Sequence, residues 1–169
     1  MDDVIYSVSA LRAFSGSIIG CLILFLLGLG TPILTLFNRK ESVFKKIATV
    51  FLGLIILSTG VLIMLGSYRQ YQGGDKTILV QVLEKRESTG WCNRRLCTDY
   101  TAETSDGEKR YIFNLKEKVW NEIEVHSCYK FTYYPFRPLF SGLAQGEYQY
   151  PSLYEPTGEI TSIQKVNCP

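Results

Sequence analysis

The chain has 169 residues, 46% of them hydrophobic and 20% charged, with a formal net charge of +2. Two long apolar runs in its first 67 residues leave room for one soluble domain at most. Residues 68–169 carry 13 basic and 13 acidic side chains, so that domain lacks the basic excess of a nucleic-acid binder, and this class is set aside.

Asp2–Phe14 places Val4, Val8 and Leu11 at helical spacing behind two aspartates, which suit a helix N-terminus. Residues 1–14 are therefore expected to form a short interfacial segment. Ser15–Phe37 and Ile47–Gly66 contain no charged side chain. Runs of 23 and 20 residues match the roughly 20 needed to cross the hydrocarbon of a bilayer as helices. Only Asn38–Lys46 separates them, which predicts a transmembrane helical hairpin over 15–67. Without an ionisable residue in either span, an ion or proton path through this chain alone is not expected. Gly16 with Gly20, and Gly53 with Gly60, are the predicted helix-packing positions, because small residues let backbones approach closely in lipid. They serve either the hairpin itself or a partner's helix. Ile18-Ile19-Gly20-Cys21 has the look of a lipidation box, but its apolar run follows the cysteine. No small-x-small site follows the first run, so cleavage is not expected either.

The connecting loop 38–46 holds Arg39, Lys40, Lys45 and Lys46 against Glu41. Short loops rich in Lys and Arg stay in the cytoplasm. Both termini, and with them the C-terminal domain, are expected outside it: in the periplasm, at the cell exterior or in an organelle lumen. The cysteines agree. Cys21 lies in the first span, whereas Cys92, Cys97, Cys128 and Cys168 all fall in the C-terminal domain, where an oxidising compartment would pair them. Of three possible pairings, Cys92–Cys97 and Cys128–Cys168 are expected. A zinc site from Cys92, Cys97, Cys128 and His126 is the weaker alternative, since its spacing lacks a second compact ligand pair.

Residues 68–76 read as a linker, with Tyr68, Arg69 and Tyr71 at headgroup level and Gly73-Gly74 as a hinge. The domain 77–169 reads as β. Thr77–Lys85 carries apolar residues on both faces (Ile78, Val80, Val82; Leu79, Leu83), as in a doubly buried strand. Thr98–Thr104, Lys109–Leu115, Cys128–Tyr134 and Glu159–Val166 supply four more strands, with a turn at Asp106-Gly107. Lys116–Glu124 changes period and becomes a helix on Val119, Trp120 and Ile123. Three strands, a short helix and two strands is the element order of the five-stranded oligonucleotide/oligosaccharide-binding (OB) barrel. The predicted fold is thus a two-helix membrane hairpin followed by an OB-like, all-β barrel. A small barrel after membrane spans is an arrangement that resembles the NfeD-like proteins; no motif assigns the chain to them.

In such barrels the loops after strand one and between strands four and five flank the ligand face. The first, Glu87–Cys97, contains Trp91, Arg94 and Arg95. The second, Pro135–Gly158, contains Phe136, Arg137, Phe140, Tyr148, Tyr150 and Tyr154. Aromatic and arginine side chains are enriched at interface cores. The two loops are expected to form a docking surface for other membrane proteins, making the protein an accessory or structural subunit of a larger membrane assembly. The alternative is a membrane-tethered binder of a small ligand or glycan through 135–158. Catalysis is not expected: no nucleophile elbow or phosphate loop occurs, and the one conceivable pair, His126 with Cys128, fails if Cys128 is oxidised. No cofactor or metal is anticipated.

Overall fold

The computed structural model describes residues 3–37, 42–92, 95–137, 154–155 and 157–168, the side chains of Cys92 and Arg95 excepted. It divides into two units: Phe14–Gln72, and a second that joins Met1–Ala13 to Gly73–Pro169.

The first unit is a pair of helices. In chain order these are the second and third helices, α2 (Ser15–Phe37) and α3 (Val43–Gln72), both long and apolar enough to cross a membrane. Only 11% of the most apolar window of each is buried within the structure, so their side chains are presented outward instead of forming a protein core. The helices run antiparallel, with Cys21 beside Gly60, Gly28 beside Gly53, and Lys46 Nζ donating to the Leu36 carbonyl. Thirty residues make α3 about 45 Å long, more than the roughly 30 Å of hydrocarbon. Its last turn absorbs residues expected in the linker, and Gly74, at φ 75°, ends it in the left-handed conformation glycine tolerates.

The seam is made by glycine and proline. Pro32 has no N–H to offer the Gly28 carbonyl, and Gly53 fills the notch: a Cβ there would overlap Pro32 Cγ and lie 2.6 Å from Gly28 O. Gly28 and Gly60 press in the same way on Leu57 and Leu24. Gly16 and Gly20 have nothing within 4 Å of the position a Cβ would take. Of the expected pairs, Gly53–Gly60 thus packs the hairpin and Gly16–Gly20 does not. Gly53→Leu is expected to destabilise the helix pair by about 1–3 kcal/mol, and Gly16→Leu by less than about 0.5 kcal/mol, read by circular-dichroism melts of the full chain in detergent.

The second unit is a seven-stranded mixed sheet. Its strands are β1 (Asp3–Ser7), β2 (Lys76–Cys92), β3 (Arg95–Ser105), β4 (Arg110–Leu115), β5 (Cys128–Pro135), β6 (Tyr154–Glu155) and β7 (Gly158–Val166), in the order β1-β7-β5-β2-β3-β4-β6. All pairings are antiparallel except β4 with β6. The helices α1 (Ala10–Ala13) and α4 (Glu117–Glu122) complete it. The sheet is not closed, and β1 and β6 are its edges. It is nevertheless strongly curled. Only Pro156 and Thr157 separate β6 from β7 in sequence, at most about 11 Å of chain, whereas a flat sheet would set those strands about 24 Å apart. Phe113 of β4 accordingly stacks on Phe131 of β5 at 4.4 Å, and Tyr133 meets it edge-on at 5.3 Å. Val80, Val82, Tyr111, Tyr129 and Ile163 join these rings in the core, with Val119 of α4 and Ile123 just after it closing one side.

Several expectations need correction. Residues 3–7 form a strand on β7 and not a helix; a bulge between Val4 and Tyr6 lets both Ile5 and Tyr6 pack on the core. Among the described residues the strands number seven and not five, through β1 and β6. β2 is buried on one face only, since Leu79 is 44% exposed. The expected loop 87–97 is largely strand. His126, the expected partner of Cys128, sits in a turn at φ 65°, just before β5. The turn at Asp106-Gly107 forms as expected: Asp106 Oδ1 accepts the N–H groups of Glu108 and Lys109, and Gly107 adopts φ 98°.

Candidate functional site

β2 and β3 outrun the rest of the sheet. β5 pairs with β2 only over Lys76–Gln81, and β4 with β3 only over Tyr100–Ser105. Beyond them Ser88–Cys92 and Arg95–Asp99 pair with each other alone, up to Cys92↔Arg95. Five residues of ribbon project about 17 Å, and a two-stranded ribbon is marginal without further support. Cys97, within it, is disulfide-bonded; its expected partner, the Cys92 side chain, lies outside the described residues, as does Arg94. Trp91 and Leu96 face each other across the ribbon, 78% and 67% exposed. Water contact on two large apolar side chains at the end of a projection is unfavourable for an isolated molecule and typical of a contact surface.

The described members of the second predicted loop lie elsewhere. The register Lys76↔Tyr133 puts Phe136 and Arg137 by the start of β2, the opposite end from Trp91. There Phe136 is 52% exposed, and Arg137 Nη2 donates to the Gly73 carbonyl at 3.3 Å. Phe140, Tyr148 and Tyr150 lie outside the described residues, and so does the Arg95 side chain. Tyr154 is no free loop aromatic: its hydroxyl donates to Glu103 Oε1 at 3.1 Å. The two expected loops therefore do not make one surface among the described residues.

Tyr154 belongs to a charge cluster that locks β6 onto the sheet. Glu103, 7% exposed, also receives Arg110 at 3.0 Å and Arg86 at 3.4 Å. A hydrogen bond from Arg86 holds the Glu84 carboxyl below its ordinary value. Lys109 pairs with Glu155 next to it. Burial would raise Asp106, but the Lys109 N–H, the Tyr111 hydroxyl and the Glu108 N–H outweigh it and keep that carboxyl low. Every charge here has a partner, the arrangement of a structural clasp. Lys85 similarly ties α4 to β2: it donates to the Ile123 carbonyl at 2.8 Å, lies 4.1 Å over the Trp120 ring, and is pushed down by burial.

Cys128 is bonded to Cys168. Its thiol is consumed, which removes the His126–Cys128 nucleophile pair and, with Cys97 also oxidised, the zinc alternative.

A pocket missed in the sequence opens beside the first residues of β7. It has a volume of about 270 Å³ and is lined by Glu159 and Ile160, by Tyr6 of β1, by Asn114 at the end of β4, and by Lys116 and Val119 at α4. The Glu159 side chain makes no hydrogen bond or ion pair among the described residues. Burial raises its carboxyl above the ordinary value, with Lys116 pulling the other way. A lone acid in a strand reads as solvent-facing, and no sequence signal marked it; the site exists only because β1 and α4 bring Tyr6 and Lys116 alongside.

No protein-family model, curated protein or solved structure matches the chain.

Proposed function

We propose that the protein is a two-pass membrane protein whose curled sheet is an OB-like barrel outside the cytoplasm, and that it docks another membrane protein through the Trp91–Leu96 ribbon, as an accessory subunit. The observation that carries the docking role is the exposed cross-strand pair Trp91 and Leu96 at the end of a projecting ribbon. Arg94 and Arg95 follow in sequence, the cation type favoured in interface cores. The barrel is supported by antiparallel β2–β3–β4 and β2–β5–β7 pairings with parallel β4–β6, the connections of a wrapped five-stranded Greek key with β6 and β7 serving together as its last strand. The pairing of β1 with β7 supports an even number of crossings, because it puts residues on both sides of the helix pair into one sheet. The basic loop 38–46 and the oxidised Cys97, Cys128 and Cys168 support the outer side.

The full chain, extracted in mild detergent, is expected to bring down a stoichiometric membrane-protein partner. Replacing Trp91 and Leu96 with alanine should cut recovery of that partner at least about tenfold, as for a hot-spot aromatic, while Phe136→Ala leaves it unchanged. A chain that purifies alone, or a partner indifferent to the double substitution, overturns the docking role.

A further inference from the structure

We propose that the pocket beside Glu159 binds an amino-acid-sized zwitterion, its ammonium held by Glu159 and its carboxylate by Lys116. Four observations support it. The volume of about 270 Å³ lies just below the usual range of ligand cavities, about 300–1,000 Å³, which suits a single amino acid better than a nucleotide or an oligosaccharide. The two charges that line it are opposite in sign, and no ion pair joins them. Glu159 is partly desolvated without a hydrogen bond, a state a bound ammonium relieves. Asn114, also in the lining, offers both a donor and an acceptor, and Ile160, Ile163 and Val119 give an apolar side chain a surface to rest on. The groups facing Glu159 from the surrounding elements are Tyr6 of β1 and Lys116 before α4, so Lys116 is the one opposing charge in the lining. This site is independent of the Trp91 ribbon.

The test is calorimetric titration of the oxidised full chain in detergent with L-leucine at neutral pH. Saturable binding is expected. N-acetyl-L-leucine, which lacks the ammonium, and L-leucinamide, which lacks the carboxylate, should each bind at least about tenfold more weakly. Glu159→Gln and Lys116→Met should each lose at least about tenfold, whereas Lys118→Met, two residues on and outside the pocket lining, binds as the parent does. Acidification should weaken binding as Glu159 takes up its proton, and it should begin above the ordinary carboxylate range. Absence of a saturable response to L-leucine at millimolar concentration overturns the proposal, and so does equal binding of N-acetyl-L-leucine. A melt of each variant checks folding; should Glu159→Gln be unfolded, the two modified leucines and Lys116→Met decide.

Discussion

Replacing Cys128 and Cys168 together with serine should cost the β unit about 4 kcal/mol, the loop-closure value for a crosslink spanning 40 positions. The bond ties the first residue of β5 to the segment just past β7, next to the Cys128↔Val166 pair that ends their ladder. Without it β7, which also carries β1, can fray from its end. Urea unfolding followed by Trp120 fluorescence is the measurement, since that ring packs against Tyr100 at 5.2 Å and donates to the Thr101 carbonyl. Trp91, already in water, is best replaced by Phe for clarity. The parent treated with reductant should shift toward the serine variant. A loss under about 1 kcal/mol would mean that the reduced chain keeps the same loop closed by other means.

Phe113→Ala should cost about 3–5 kcal/mol, the range for deleting a fully buried ring. Phe113 has no exposed surface, stacks on Phe131 at 4.4 Å and meets Tyr133 at 5.3 Å. These contacts join β4 to β5, strands with β2 and β3 between them, so the ring holds the curl as well as filling space. The same urea experiment reads the loss. Ile112→Ala, on the opposite face of β4 and 42% exposed, should cost less than about 1 kcal/mol. Equal costs at the two positions would mean the sheet is flat, with both faces alike.

Where structure follows local composition, it was legible. Charge-free runs of membrane length define α2 and α3 wherever their neighbours lie, and alternation marks β4, β5 and β7 to within a residue or two. The change of period at Lys116 marks α4, shorter than the expected 116–124, with Val119 in it and Ile123 just after it both buried. What escaped was non-local. Val4, Val8 and Leu11 fit a helical period, and only β7, at the far end of the chain, makes residues 3–7 a strand. Gly90, Cys92 and Cys97 resemble loop chemistry, yet the strand ladder runs on through them. Which glycines pack was also hidden: Gly28, preceding Pro32 by one turn, meets Gly53, whereas the better-looking Gly16–Gly20 spacing meets nothing. The pocket escaped because Lys116 and Glu159 are ordinary surface types, and only the fold brings them to the rim of one depression.

A membrane hairpin with an oxidised β unit beyond the cytoplasm is tested most directly by impermeant maleimide and protease on sealed cells that carry a tag after Pro169. The tag is expected to be cleaved from outside, Cys128 and Cys168 to stay unlabelled until reductant is added, and a cysteine placed at Ser42 in the basic loop to react only after lysis. A tag protected in intact cells, with Cys128 labelled without reductant once they are opened, would contradict it.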